Sequence, residues 1–175
     1  MYYIFDLDNT VIDSSHRQTF VDGKLDLKAW IKDNTPQNIK RDSLLPIAKI
    51  MQSAKRFGHH IIICTARNIG AYDMNFLADN GLAYNAILSR PRGNNQPDAD
   101  LKRDLLVNYF SLIRVPMARW VRTSVFYDDN LSVLEMAKTY GIITKDAVSF
   151  CHLENAEIVI VKNRSPHPTR HRNAN

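Results

Sequence analysis

Four short apolar runs, rich in β-branched and aromatic residues, alternate along this chain with longer segments of helical spacing. The runs cover residues 2–6, 60–64, 86–89 and 124–127. A short apolar run bounded by polar or turn residues is typical of a strand buried on both faces, and strands that alternate with helices form parallel sheets. The sequence therefore predicts an α/β protein of Rossmann-like architecture, with a mostly parallel sheet and helices on both faces.

Capping residues and glycines indicate where the helices begin and end. Four main helices are predicted, with limits at Ser43 and Gly58, near Tyr72 and Gly81, at Asp98 or Asp100, and at Asn130 and Gly141. A shorter helix is expected over residues 27–32, within a polar segment, and a late edge strand over residues 158–161. The polar segment 13–41 is too short for a large cap domain, so we expect a small cap or none.

The size and charge of the chain indicate one globular domain. Its 175 residues suffice for one well-formed core, and no apolar run approaches the roughly 18 residues of a membrane span.

The N-terminus has no basic region of the secretory type and only two cysteines are present, so we expect a cytoplasmic protein. Of the net charge of +5, three charges lie in the segment 164–175. We therefore predict a domain over residues 1–163 and a basic, flexible tail over 164–175.

Two pairs of aspartates follow the first and the last of the four apolar runs. Asp6 and Asp8 are two residues apart, so on an extended backbone their carboxylates face the same space. Asp128 and Asp129 follow the last run, and the carboxyl ends of parallel strands meet where ligands bind in α/β sheets. Carboxylates about 4 Å apart repel by about 4 kcal/mol at an effective dielectric constant of about 20. We therefore expect a cation, and a set of oxygen ligands favours Mg²⁺.

Such a cluster can carry phosphoryl transfer. A carboxylate held by a metal can attack phosphorus and form an acyl-phosphate, and a second carboxylate two residues further can act as general acid and then as general base. Thr65 ends the second run and offers a hydroxyl to a phosphate, and Lys102 offers a fixed cation. Taken singly, a threonine such as Thr65 is more often a helix cap, and a lysine such as Lys102 is more often a solvated residue of a helix. Their combination with the aspartates favours the catalytic interpretation.

Three arginines follow predicted strands and are candidates for binding a substrate phosphate: Arg67, Arg90 and Arg92. A guanidinium group can bind a phosphate through two parallel hydrogen bonds. The alternative for each arginine is a solvated loop cation. Within the predicted small cap, His16, Arg17 and Trp30 are further candidates for contact with a substrate.

The motifs DLDNT, ICTAR and YDDN, together with the helical Lys102, resemble those of the haloacid dehalogenase (HAD) superfamily of phosphohydrolases over about residues 1–145. That resemblance implies Mg²⁺ dependence and a covalent aspartyl-phosphate. It implies that Asp6 is the nucleophile and Asp8 the general acid and base. It further implies that Thr65 and Lys102 bind the phosphoryl group and that Asp128 and Asp129 hold the metal together with Asp6 and Asp8.

A narrower resemblance is to the phosphatase domain of bacteriophage-type polynucleotide kinase/3′-phosphatase. It rests on Arg67, Arg90, the run Asp-Ala-Asp-Leu-Lys at 98–102 and the segment 128–136, whereas Asn9 and Asn130 replace a glycine and an arginine of that family. No GxxxxGK[ST] motif is present, so no P-loop kinase is expected. The resemblance implies removal of a terminal 3′ phosphate from a nucleic-acid end. The alternatives are a 5′-nucleotidase or other small-molecule phosphatase, and a non-catalytic nucleic-acid-binding module.

Overall fold

The computed structural model describes residues 1–153 of the chain. It has nine strands, which are β1 (Tyr2–Phe5), β2 (Ile12–Asp13), β3 (Phe20–Val21), β4 (Lys24–Leu25), β5 (Ser43–Leu44), β6 (His60–Thr65), β7 (Ala86–Ser89), β8 (Ser124–Asp128) and β9 (Ile143–Asp146). Its α-helices are α1 (Leu27–Asp33), α2 (Pro36–Ile39), α3 (Ile47–Arg56), α4 (Ala71–Asp79), α5 (Asp98–Leu112), α6 (Met117–Arg122) and α7 (Leu131–Thr139). Residues 147–153 are also helical, and Ser15–Arg17 form a turn of 3₁₀-helix.

Five strands form one parallel sheet in the order β7-β6-β1-β8-β9. The central strand β1 lies between β6 and β8, so that Phe5 pairs with Ile63 on one side and with Tyr127 on the other. The predicted α/β architecture is thus confirmed. The strand expected over residues 158–161 and the tail 164–175 lie outside the described residues, and the limit of the domain at residue 163 remains a prediction.

Alternate residues of the central strands supply the two halves of the core. Ile4, Ile62 and Phe126 face one side, where they pack with buried residues of α5, α6 and α7. Phe5 and Ile63 face the other side, where they pack with α3 and α4. Because β1, β6 and β8 are apolar on both faces, they read in the sequence as continuous rather than alternating runs.

One helix boundary differs from the prediction. Ser43 does not cap a helix but belongs to β5, which pairs antiparallel with β2, and the following helix α3 begins at Ile47. Pro46 disfavours helical backbone at the residue before it and therefore delays the helix. By contrast, Asn130 accepts a hydrogen bond from the Ser132 amide as the predicted cap of α7, and α5 begins at Asp98 as predicted.

Besides the short strands β2 to β5, the helix α2 and the helix at 147–153, two further elements have weak sequence signals and were not predicted. The edge strand β9 has the sequence ITKD and leaves Ile143 half exposed, so it lacks the apolar run that marks the central strands. The helix α6 has only six residues and follows Pro116. In the described part of the chain, no helix combines the length and hydropathy needed to cross a membrane.

A small module connects β2 to β5. It consists of the 3₁₀ turn, the hairpin of β3 and β4, and helices α1 and α2. Asp26 caps α1 by accepting hydrogen bonds from two backbone amides, and Thr35 caps α2. Arg17, which is fully buried, forms a bidentate ion pair with Asp42 and so ties the beginning of this module to its end. We refer to residues 14–42 as the cap module.

Candidate active site

The candidate site lies at the carboxyl ends of the three central strands. Asp6 directly follows β1, Thr65 ends β6 and Asp128 ends β8. The Asp6 amide donates a hydrogen bond to the Tyr127 carbonyl at 3.0 Å, which fixes the chain just beyond β1 against β8. The parallel register of these neighbouring strands therefore brings together residues that are more than 120 positions apart in the sequence.

Three carboxylates converge at this edge. Oxygen atoms of Asp6, Asp128 and Asp129 all lie within 4.8 Å of one another. Burial, followed by the charges of neighbouring carboxylates, raises the pKa of Asp6 to about 7, and Lys102 opposes the shift. Burial and the charge of Asp6 likewise raise the pKa of Asp129 to about 6. Burial, assisted by repulsion between the carboxylates, thus favours retention of a proton on Asp6 near neutral pH.

Lys102 is the cation that partly offsets this repulsion. It projects from the second turn of α5, is almost fully buried, and its Nζ lies 2.8 Å from Oδ2 of Asp128 and 2.9 Å from Oδ1 of Asp6. Burial alone lowers the pKa of a lysine, but the charges of these two carboxylates outweigh it and raise the pKa of Lys102. Lys102 therefore stays protonated at neutral pH.

The carboxylate cluster fits a hard divalent cation. Oδ1 of Asp6 is buried and makes no hydrogen bond within residues 1–153, because its contact with Lys102 lacks hydrogen-bond geometry. A buried oxygen without a hydrogen bond is costly unless another group satisfies it. Mg²⁺ takes oxygen ligands and usually keeps several waters, so Asp6, Asp128 and Asp129 are the residues that could hold it.

The side chain of Asp8 lies apart from the other three carboxylates. Its two oxygens accept hydrogen bonds from Nε and Nη2 of Arg67, and Oδ1 also accepts one from the Ser14 hydroxyl at 2.5 Å. Burial favours protonation, but the charge and hydrogen bonds of Arg67, with the bond from Ser14, outweigh it and lower the pKa of Asp8. The carboxylate remains 20% exposed and lines the cleft described below.

Arg67 is buried and surrounded by carboxylates. Besides Asp8, it donates from Nη1 to Asp73 at 2.6 Å, and its Nη2 lies 3.8 Å from Asp42. The sequence suggested that Arg67 binds a substrate phosphate, whereas the structure shows its guanidinium bonded to side chains of the protein. Its backbone amide also donates to Oγ1 of Thr65, which leaves the hydroxyl proton of Thr65 available to another acceptor.

The other two candidate arginines lie on the loop between β7 and α5. Arg90 donates to the carbonyls of Ala66 and Gln96 and forms an ion pair with Asp98 at 2.7 Å, so that it holds the loop together. Arg92 is exposed and makes no ion pair with any described residue. Of the three arginines, Arg92 is thus the one whose guanidinium is open to a ligand.

A cleft of about 880 Å³ opens above the carboxylates. Its floor includes Asp6, Asp8, Thr65, Lys102 and Asp129. The cap module forms one wall, and the loop from Arg90 to Gln96 forms another. The structure therefore brings all the predicted catalytic side chains to one cleft, with Asp128 buried directly beneath it.

Some residues of the site had no signal in the sequence. Asp42 and Asp73 read as ordinary surface acids, although both are buried against arginines. Asn9 is more informative, because its φ of 57° lies in the left-handed region that favours glycine and tolerates asparagine. The asparagine at the position of a family glycine therefore preserves the turn that follows the catalytic strand.

Comparison with known proteins points to one family. A family model described as Bacteriophage T5 5′-deoxynucleotidase matches residues 1–163. The 5′-deoxynucleotidase of Escherichia phage T5 is 29% identical over 168 residues, which cover 82% of this chain and 66% of that protein. The chain thus spans slightly less than two thirds of the length of this relative.

Solved structures share the fold at lower identity. A chain of the Pnkp1/Rnl/Hen1 complex has a TM-score of 0.60 and 21% identity, over 82% of this chain and 44% of that chain. A haloacid dehalogenase-like hydrolase of Streptococcus pneumoniae has a TM-score of 0.57 and 12% identity, over 82% of each chain. A magnesium-bound putative HAD-hydrolase of Bacillus subtilis has a TM-score of 0.54 and 13% identity, over 82% of this chain and 86% of that one.

The parallel sheet with its acidic edge, together with these solved structures, defines a HAD-like fold and confirms the fold that the motifs implied. Within that class, the match over residues 1–163 assigns a particular family. The chain belongs to the bacteriophage T5 5′-deoxynucleotidase family.

Proposed function

We propose that the protein is a Mg²⁺-dependent phosphatase that removes the phosphate from nucleoside 5′-monophosphates through an aspartyl-phosphate on Asp6. The observation that carries this proposal is the contact of Asp6 with Lys102 at the floor of the cleft, beside Asp128 and Asp129. Asp6 is a buried carboxylate held against a lysine, with one oxygen free of hydrogen bonds. A neutral residue in its place would cost less folding free energy, so stability of the fold does not explain the carboxylate.

Each step uses a residue of the cleft. An oxygen of Asp6 attacks phosphorus as the bond to the leaving oxygen breaks, and Asp8 donates its proton to that oxygen. Water then attacks the phosphorus of the acyl-phosphate and gives a proton to Asp8. This step breaks the bond between phosphorus and Asp6, so that phosphate is released and the Asp6 carboxylate is restored. Lys102 and the Thr65 hydroxyl stabilise the phosphoryl oxygens. A Mg²⁺ ion held by Asp6, Asp128 and Asp129 supplies further positive charge for those oxygens.

Asp8 must gain a proton before it can act as an acid. In the structure Arg67 lowers its pKa, so that it is a carboxylate before substrate arrives. A phosphate dianion beside Asp8 opposes this effect, because its negative charge disfavours the carboxylate form of Asp8. We therefore propose that Arg67 positions Asp8 and that the substrate itself promotes protonation of Asp8. Participation of the Asp8 side chain in holding the metal remains a weaker proposal, since it lies outside the carboxylate cluster.

A second candidate is the removal of a 3′ phosphate from a nucleic-acid end. The exposed Arg92 at the cleft wall favours it, because an unpaired guanidinium there could contact a neighbouring phosphate of a strand. The family match favours the mononucleotide, because the matching relative is named as a 5′-deoxynucleotidase. We therefore rank the nucleotidase first. A binding module without catalysis is disfavoured by the intact set of Asp6, Lys102 and Asp128.

The experiment is a phosphate-release assay with 2′-deoxynucleoside 5′-monophosphates, nucleoside 3′-monophosphates and 3′-phosphorylated oligonucleotides. Each substrate is tested with Mg²⁺, with excess chelator and with Ca²⁺ in place of Mg²⁺. We expect the highest kcat/KM for the 5′-monophosphates, with no turnover in chelator. Ca²⁺ should inhibit, because it tends to take both oxygens of a carboxylate and would occupy the attacking atom of Asp6. A preference for the oligonucleotide would replace the first proposal by the second.

A further inference from the structure

Exposed apolar side chains of the cap module face the cleft. Phe20, from the β3–β4 hairpin, is 59% exposed, and Ile31, from α1, is 74% exposed. Both line the cleft together with Leu25 and Trp30. Single exposed apolar residues are ordinary on protein surfaces. Four that line the same side of a cleft whose floor is ionic place apolar surface next to a charged one. We call Phe20, Leu25, Trp30 and Ile31 the apolar wall.

Trp30 anchors the apolar wall. The guanidinium carbon of Arg17 lies 4.5 Å from the centre of the Trp30 ring, and that of Arg67 lies 5.6 Å away. Arg17 is itself fixed by Asp42 and by the side-chain oxygen of Asn34 at 2.9 Å. The indole is therefore held by buried, ion-paired arginines, and the wall presents a pre-formed surface to a ligand.

The opposite wall has a different chemistry. Asn94, Asn95 and Gln96 lie along the loop there, and Arg90 fixes that loop by donating to the carbonyls of Asn94 and Gln96. The side chains of Asn94 and Gln96 bond to each other and also to Arg90 and Asp104, which leaves Asn95 as the exposed amide of this loop without a hydrogen bond to any described residue. The cleft therefore combines a phosphate-binding floor, an apolar wall and an amide that can donate and accept, which are the contacts that a phosphate, an aromatic base face and a base edge require.

We propose that the apolar wall is the subsite for the nucleobase of the substrate. The base lies against Phe20, Trp30 and Ile31, with its edge towards the exposed amide of the opposite loop, while the phosphate lies on the carboxylate floor. A strand of phosphates fits this wall poorly, since its four side chains are uncharged and the two cations that lie against Trp30, Arg17 and Arg67, are buried and already paired with carboxylates. This inference rests on the proposed nucleotidase function and adds the residues that distinguish a nucleotide from a simple phosphate ester.

The test compares substrates with and without a base. Steady-state kinetics are measured for 2′-deoxynucleoside 5′-monophosphates and for deoxyribose 5-phosphate, using the wild type and the variants Phe20→Ala and Ile31→Ala. Leu112→Ala serves as the control, because Leu112 is 80% exposed and does not line the cleft. Stacking of a base on an aromatic side chain is worth about fivefold or more in affinity. We expect KM for the nucleotides to rise by about fivefold or more in Phe20→Ala and by a smaller factor in Ile31→Ala, with kcat nearly unchanged and with deoxyribose 5-phosphate unaffected.

A binding measurement without turnover provides a second readout. In the Asp6→Asn variant with Mg²⁺, the nucleotide should quench the fluorescence of Trp30 and deoxyribose 5-phosphate should not. Trp120 is the other tryptophan and is buried in the core, so the change reports on the apolar wall. Wild-type KM values in Phe20→Ala and Ile31→Ala, or equal losses on both substrates, would overturn the subsite. If the wild type hydrolyses neither substrate, the proposed function itself fails, which is a distinguishable result.

Discussion

Oδ1 of Asp6 lies 2.9 Å from the ammonium nitrogen of Lys102 in the buried floor of the cleft. The same nitrogen lies 2.8 Å from Asp128, so one lysine holds carboxylates that follow two neighbouring strands. The single positive charge of Lys102 does not neutralise the cluster, because Asp129 adds a third carboxylate. A divalent cation would complete the neutralisation and would place positive charge where a phosphoryl group must bind.

Replacement of Lys102 by methionine should impair both activity and stability. Removal of one partner from a buried ion pair leaves uncompensated charge and typically costs about 3–5 kcal/mol of folding free energy. Loss of its contact with the phosphoryl group should lower kcat by about a hundredfold or more. Urea unfolding and steady-state kinetics measure the two effects, with Lys49→Met on the exposed surface of α3 as the control. If K102M matches that control in both, Lys102 has no role in the site.

The stability of the metal-free protein should depend on pH through Asp6. Its pKa is about 7 in the folded protein against an ordinary 3.8, so the folded state holds this proton more tightly than the unfolded state. By linkage, its contribution is most favourable below pH 4 and is lost progressively as pH rises from about 4 to about 7. We expect the free energy of unfolding of wild type relative to Asp6→Asn to fall over that range. A constant difference would show that Asp6 has an ordinary pKa.

Magnesium should stabilise the protein more at pH 8 than at pH 6. Metal binding requires the carboxylate form of Asp6, whose pKa is about 7, and of Asp129, whose pKa is about 6. Because one proton competes with the metal, the apparent affinity for Mg²⁺ should be about tenfold weaker at pH 6 than at pH 8. The shift in Tm at several Mg²⁺ concentrations measures this affinity. Equal shifts at both pH values would contradict binding of the metal at these carboxylates.

Substitution of Arg67 by lysine should lower kcat more than it raises KM. Arg67 bonds to both Asp8 and Asp73, and a single ammonium cannot reproduce these separate contacts. A residue that only positions the acid and base affects turnover, whereas a residue that binds the substrate phosphate affects KM as well. Arg56→Lys, at the exposed end of α3, is the matched control. A rise in KM at unchanged kcat would instead indicate that Arg67 binds the substrate phosphate, as its sequence position suggested.

A salt series separates mononucleotide from strand recognition. Each phosphate of a single strand that is contacted by the protein should give a slope of about −0.7 in log affinity against log salt concentration. We expect kcat/KM for 5′-mononucleotides to change little with salt, and Arg92→Ala to leave that dependence unaltered. A steep dependence for 3′-phosphorylated oligonucleotides, removed by Arg92→Ala and accompanied by higher kcat/KM, would favour the end-processing function.

The sequence was most informative where residues act through local pattern. The buried strands could be recognised because each has an apolar interior and a polar residue at or just after its carboxyl end, namely Asp6, Thr65 and Asp128. Parallel pairing then places these ends together, so the edge that carries the cluster was predictable without coordinates. The helix start at Asp98 was similarly indicated by acidic residues, Asp98 and Asp100, which are favourable in a first helical turn.

The remaining features depend on long-range packing. Whether Arg67 meets a substrate or Asp8 and Asp73 depends on how the cap module and α4 pack over β6, which no local pattern encodes. Lys102 looks like any helical lysine until α5 is placed against the sheet, where burial and two carboxylates define its role. Ser43 does not cap a helix as predicted, because its pairing with Asp13 in the two-stranded sheet of β2 and β5 outweighs the general preference of serine for helix caps.

The most direct test of the central claim is the search for a phosphoryl group on Asp6. Wild type and Asp6→Asn are mixed with a 2′-deoxynucleoside 5′-monophosphate and Mg²⁺, quenched in acid within milliseconds and digested for mass spectrometry. The account predicts one phosphoryl group on the wild-type peptide that contains Asp6, none on the variant, and loss of turnover in a variant that stays folded. Sustained turnover by Asp6→Asn, or a wild type that hydrolyses the nucleotide without any phosphorylated Asp6, would contradict it.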